Sequence, residues 1–272
     1  MAFSASLRNL THLGAVFSPT VDERRPSKIL MLLEGRAGLE WASTAMALPW
    51  LLRCVPRGDG HPVLVLPGLI ATDASTAPLR RFLRGRGYAV QGWKQGRNLG
   101  PREGGVEKMH ETLADMHATS GRKVSVIGWS LGGVYARELA RTTPEHVRQV
   151  ITLGTPLYGD AHDTNASGVY RRVSGRTAAQ DQGFRGQTAP PVPTTSIYTR
   201  TDGVVGWGCS VEWQGPQTDN IEINSASHTG LGVNPLVWYA VGQRLAQAED
   251  AWAHFSPKGM ARLLFPFTAP AR

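Results

Sequence analysis

The sequence predicts an α/β fold, a mostly parallel central sheet with helices on both faces. Two observations carry this: from about residue 60 short runs of β-type residues alternate with helical patterns, and most of those runs are apolar on both sides. A third is length, since 272 residues can bury a sizeable core without disulfide staples.

The elements follow in order. PVLVL, from Pro62 to Leu66, reads as a buried strand closed by Pro67-Gly68. A helix is expected around Thr76 to Arg86, with Leu79, Phe82 and Leu83 on one face and arginines opposite. YAVQGW (Tyr88 to Trp93) is a second strand. A Gly-rich loop and a helix follow, the helix marked by Val106, Met109, Leu113 and Met116 at intervals of three and four. KVSVIG (Lys123 to Gly128), a helix at Leu131 to Arg141, and VRQVITLG (Val147 to Gly154) continue the alternation. It then lapses into a polar stretch with one short helix near Gly168 to Ser174. Strands return at TTSIYT (Thr194 to Thr199) and NIEIN (Asn220 to Asn224), and Pro235 to Ala248 closes as a helix.

This gives a core of residues 58–157 and 194–255, interrupted by a candidate lid at 158–193, because a long irregular excursion inside a compact domain is usually a binding segment. Residues 1–57 form an N-terminal helical extension expected to pack on the core, with a pocket wall or a homodimer contact as the sharper alternatives. Residues 256–272 are a tail.

The net charge of +8 permits contact with nucleic acid or anionic surfaces. The arginines lie on a helix face and in loops without interleaved aromatics, so no nucleic-acid partner is expected. The longest uncharged stretch of the apolar N-terminal region, Trp41 to Leu52, is shorter than the ~20 residues a membrane span needs, so no stable membrane insertion is expected. The first twenty residues lack an h-region and a cleavage site, which makes a cytoplasmic location the default. Cys54 and Cys209 have no metal-ligand spacing and read as ordinary thiols, and no metal is expected.

The strongest chemical feature is GWSLG, Gly128 to Gly132, placed between a strand and a helix. A serine at that junction is driven out above the C-terminal edge of the sheet, beside a helix N-terminus. Ser130 is the candidate nucleophile. A serine hydroxyl needs a base held by a third group. Of eight histidines, only His228, in SASHTGLG, lies on a loop after the last strand. Asp202, in TRTDGVV just beyond TTSIYT, can hold its imidazole, with Asp160 as the rival. The oxyanion needs two N–H donors. Leu131 is one candidate, and Leu69, with Ile70 as the alternative, is the other.

PVLVLPG, GWSLGG, ITLGTPLYG, RTDGVV and SHTGLG, in that order, resemble the α/β-hydrolase superfamily, specifically its bacterial esterase/lipase-like members, over roughly residues 62–246. The resemblance implies a carboxylic-ester hydrolase acting on a small-molecule ester, with a triad of Ser130, Asp202 and His228 and no cofactor. Pro67 stands where many such enzymes have histidine before the glycine. The candidate lid has few apolar residues beyond Val169, Tyr170, Val173 and Phe184, which favours short- to medium-chain esters. An apolar helix at Ile29 to Leu52 could instead line an acyl tunnel. Lipase, thioesterase, amidase, polyester depolymerase and acyltransferase chemistry use the same triad. A catalytically silent binding protein on this scaffold is the reading from another class.

Overall fold

The computed structural model describes residues 25–158, 164–175, 188–224 and 226–265. The rival acid Asp160, about half of the candidate lid and parts of both termini lie outside the described residues.

Six strands form one parallel sheet: β1 (Pro62–Leu66), β2 (Ala89–Gly92), β3 (Val124–Trp129), β4 (Val147–Leu153), β5 (Thr194–Tyr198) and β6 (Thr218–Glu222), in the order β2-β1-β3-β4-β5-β6. Helices cover both faces: α1 (Lys28–Leu32), joined through a 3₁₀ turn at Leu33–Arg36 to α2 (Ala37–Cys54), then α3 (Asp73–Gly85), α4 (Gly105–Ser120), α5 (Leu131–Thr142), α6 (Ser167–Ser174) and α7 (Pro235–Leu245). The alternation of side chains along each strand divides the core in two. Val63 and Val65 of β1 join Ile127, Ile151 and Ile197 under α3 and α7. Leu64 and Leu66 turn to the other face, with Val126 and Val150, against Met109 and Leu113 of α4 and Leu139 of α5.

The final strand begins two residues before the apolar run that marks it in the sequence. Thr218 and Asp219 are buried despite their polarity. Asp219 is accommodated because its carboxylate meets Arg244 of α7 at 3.4 Å and accepts the Phe255 N–H at 2.5 Å.

The N-terminal helices differ from a uniformly packed extension. Leu51 reaches the core, and Trp50 stacks on Tyr239 of α7 at 5.2 Å. Ile29, Leu32, Leu39, Trp41 and Met46 are exposed, while Glu40 and Thr44 are buried. Leu39, Trp41 and Met46 of α2 thus face outward while an acid faces inward, and the partners of that acid prove to be the loops of the site. Cys54 is exposed and Cys209 buried, and the two are not joined in a disulfide. No helix among the described residues is long and apolar enough to cross a membrane.

Candidate active site

Ser130 follows β3 directly and precedes the first residue of α5. Its backbone is left-handed, φ +53°, an arrangement rare outside glycine. Two close approaches make the turn possible. A Cβ at Gly128 would overlap the backbone of Gly133, and one at Gly132 would crowd the carbonyls of Leu66 and Pro67. The glycines flanking Ser130 therefore let α5 settle against β3 and β1. The Ser130 N–H donates to the Leu153 carbonyl at 2.8 Å, which places the serine next to Gly154, the residue that follows β4.

Gly154 organises the other two groups. At φ +53°, a Cβ there would lie 3.1 Å from both Asp202 Oδ2 and His228 Nδ1. Asp202 Oδ2 meets His228 Nδ1 at 2.7 Å, and both side chains are almost wholly buried. The other oxygen, Oδ1, accepts the N–H groups of Val204 at 2.8 Å and Val205 at 2.7 Å, so the carboxylate is held at both ends. Burial by itself would push the His228 imidazole down; the Asp202 charge and hydrogen bond, together with the Glu34 charge, outweigh it and raise it above the ordinary 6.5. Asp202 and His228 are thus in direct contact at the sheet edge that carries Ser130. The Ser130 hydroxyl makes no hydrogen bond among the described residues.

The loop after β1 lies beside the serine, with a Gly68 Cβ position 3.3 Å from Ser130 Cβ. Ile70 is held at φ +57°, an outlying conformation for a β-branched residue. Its N–H is occupied, donating to the Asn98 carbonyl at 2.6 Å. Asn98, wholly buried, also donates its backbone N–H to Ala71 O at 2.8 Å and its Nδ2 to Pro67 O at 2.8 Å. The Leu69 N–H makes no hydrogen bond among the described residues. Leu131, as the first residue of α5, has no acceptor a turn earlier in its helix.

Several residues of this arrangement escape sequence reasoning. Asn98 braces the loop bearing Leu69 from within a Gly-rich segment. Trp129 Nε1 donates to the His228 carbonyl at 3.1 Å. Glu34, Arg36 and Glu40 reach the loops of Asp202 and His228 from far away in the chain. The available signal is charge: acids inside an otherwise apolar helical stretch require buried partners.

A second Ser-His-Asp chain exists at the opposite end of the sheet. Ser125 Oγ lies 2.9 Å from His61 Nε2, and His61 Nδ1 lies 2.5 Å from Asp59 Oδ1. Ser125 and His61 are wholly buried, and Ser125 sits within β3 rather than on a strained turn. Burial, the leading influence on His61, lowers its pKa and favours the neutral ring. Arg122 and Arg148 both bind Asp59, at 2.5 and 3.1 Å. This cluster ties the N-terminal ends of β1, β3 and β4 together and offers no reactive hydroxyl to a substrate.

A parallel sheet of this order, with a left-handed serine after β3 and a carboxylate-imidazole pair on the loops after β5 and β6, defines the alpha/beta hydrolase fold. The family model for that fold matches residues 83–198, and the chain has the α/β-hydrolase fold. A serine hydrolase of Mus musculus, BPHL, is 27% identical over 128 residues, 43% of this chain and 44% of that protein. The structure is similar to lipase B of Aspergillus fumigatus, with TM-score 0.57, 19% identity, and coverage of 69% of this chain and 52% of that one. It is also similar to the mature lipase BlEst2 of Bacillus licheniformis, with TM-score 0.53, 16% identity, and coverage of 71% and 94%. The match thus spans about half the length of the mouse protein and of lipase B.

Proposed function

We propose that this chain hydrolyses carboxylic esters of short to medium acyl length through an acyl-enzyme on Ser130. The observation that carries the reading is the buried Asp202–His228 pair, 2.7 Å apart, at the sheet edge where Ser130 is held left-handed. In this reading His228 takes the Ser130 proton as Oγ attacks the ester carbonyl, forming the tetrahedral oxyanion. The N–H groups of Leu69 and Leu131 stabilise that charge. The engagement of Ile70 N–H by Asn98 supports Leu69 as the donor from this loop. His228 then protonates the departing alcohol as the C–O bond breaks, and water enters by the same route to release the acid and regenerate the hydroxyl. Asp202 fixes the tautomer and stabilises the imidazolium without itself taking the proton. The likeness to BPHL and to the two lipases supports hydrolysis in general, and the polar composition of the candidate lid supports the shorter acyl chains.

A panel of p-nitrophenyl esters of rising chain length, run beside acyl-CoA and amide analogues, tests the substrate class. Turnover is expected to be highest on the shorter esters. Asp202→Asn, which keeps the shape and offers the wrong hydrogen-bonding group, is expected to lower kcat by about 10⁴. Preference for the thioester or the amide would overturn the ester assignment. An undiminished Asp202→Asn variant would overturn the role of the acid.

A further inference from the structure

Glu34 touches both loops that carry the acid and the base. Its Oε1 accepts the Gly203 N–H at 2.9 Å and the His228 N–H at 3.0 Å, and its Oε2 accepts the Thr229 N–H at 2.8 Å. The residue lies on the 3₁₀ turn between α1 and α2, well over 150 positions from either loop. We propose that Glu34 is a positioning residue of the Ser130 relay: one carboxylate clamps the Asp202 and His228 loops together and places a second negative charge behind the imidazole. The proposal rests on the role given above to His228.

The surroundings are built to hold that clamp. Arg36 donates to the carbonyls of Thr201 at 2.8 Å and Ala226 at 2.7 Å, one from each loop. Glu40 Oε1 accepts the Ser227 N–H at 2.8 Å and hydroxyl at 2.6 Å, and its Oε2 accepts Asn234 Nδ2 at 2.9 Å. Asn234 Oδ1 in turn caps α7 by accepting the Leu236 N–H. Two acids and one arginine on a single N-terminal segment thereby satisfy backbone groups from both loops. Loop backbone of this kind is ordinarily solvated and mobile. Here ionic hydrogen bonds, which are stronger than neutral ones, replace water.

The charge has its own consequence. Burial would raise the Glu34 carboxyl, but the N–H groups of Thr229, His228 and Gly203 outweigh it and hold it below its usual value, so it is ionised at neutral pH. The charges around His228 are Asp202 on the loop after β5, Glu34 on the 3₁₀ turn, Glu40 behind Ser227, and Arg36 on the two loop carbonyls. Trp129, from β3, is neutral. Glu34 and Asp202 both favour the imidazolium that forms as Ser130 attacks. Removing the Glu34 charge therefore lowers the pH at which His228 titrates.

The test is Glu34→Gln in the full chain, with the His228 ring followed by NMR across pH and kcat measured on a p-nitrophenyl ester. The expected result is a His228 midpoint lower by about half a unit, with the acid limb of kcat/KM moving the same way, and kcat lower by roughly tenfold from loosened geometry. A midpoint unmoved in the folded variant overturns the proposal, even if kcat and Tm fall, since that pattern marks a purely structural role. If the Gln variant does not fold, Glu34→Asp, which keeps the charge and shortens the reach, is expected to lower kcat with the midpoint near wild type. A wild-type kcat in that variant overturns the clamp. The NMR midpoint needs no substrate, so a protein inert to esters but with a shifted midpoint would overturn the ester reading and leave the clamp standing.

Discussion

Ser130→Ala should lower kcat on the preferred ester by about 10⁴ to 10⁶. The change removes one oxygen and leaves the geometry of the turn intact. Ser130 and alanine share the same steric demand at φ +53°, and the glycines that accommodate the turn are untouched. The Asp202–His228 pair retains its 2.7 Å contact, and the Leu69 and Leu131 N–H groups proposed as oxyanion donors are untouched by the change. What survives is the slow attack of water assisted by those groups. Tm is expected to remain near wild type, which separates loss of chemistry from loss of fold. Retention of more than a few per cent of activity in a pure variant would show that the nucleophile lies elsewhere.

The second large effect concerns stability. Arg137 of α5 and Glu212 form an ion pair in which both side chains are essentially inaccessible to water. The Tyr158 hydroxyl donates to Glu212 Oε1, and the Glu212 main chain is bonded to Asn220 through its N–H at 2.7 Å and its carbonyl at 2.9 Å. Burial pushes the Arg137 guanidinium down to about 10, so at neutral pH it stays charged and cannot escape by losing its proton. Glu212→Ala would leave that cation buried without its carboxylate and remove the acceptor of the Tyr158 hydroxyl. Breaking one side of such a pair costs about 3–5 kcal/mol. In a chain of this size the corresponding fall in Tm is on the order of 10 °C. Calorimetry or urea melts would read it, and a Tm within about 2 °C of wild type would refute the assignment. Replacing both members by apolar residues, Arg137→Met with Glu212→Leu, should recover much of the loss, because no charge then remains buried.

The fold was legible because its signals are local. Val63 to Leu66, Val124 to Ile127 and Val150 to Leu153 are short, mostly apolar runs of the kind a doubly covered strand buries, and the first two are each followed by a helical period. Ser130, Asp202 and His228 could be singled out for the same reason: each directly follows a strand pattern or lies on the loop after one. The beginning of β6 was hidden, since Thr218 and Asp219 read as a loop until Arg244 and the Phe255 N–H are known to receive the carboxylate. Ile70 is a similar case. Nothing in its neighbours reveals that its N–H donates to the carbonyl of Asn98, 28 positions away in the sequence.

The N-terminal helices were the least legible part. Periodicity places apolar residues on most faces and suggests a buried helix, yet Leu39, Trp41 and Met46 are exposed while Glu40 is inside. The orientation is governed by Glu34, Arg36 and Glu40, whose partners at 201–203 and 226–234 are joined only by the folded chain. Long-range ionic hydrogen bonds leave no periodic trace in a sequence. His61 is the converse. Its Ser125 and Asp59 neighbours reproduce the residue types of a catalytic relay, and burial at the wrong end of the sheet is what separates them from the site.

That separation makes covalent labelling the most direct test of the central claim. A fluorophosphonate reacts with a serine activated by an adjacent base, and peptide mass spectrometry locates the adduct. The expected result is one adduct on the peptide carrying Ser130, abolished by Ser130→Ala and strongly slowed by His228→Ala. An intact wild-type protein that takes no label at Ser130, or that is labelled at Ser125 or another serine instead, would contradict it.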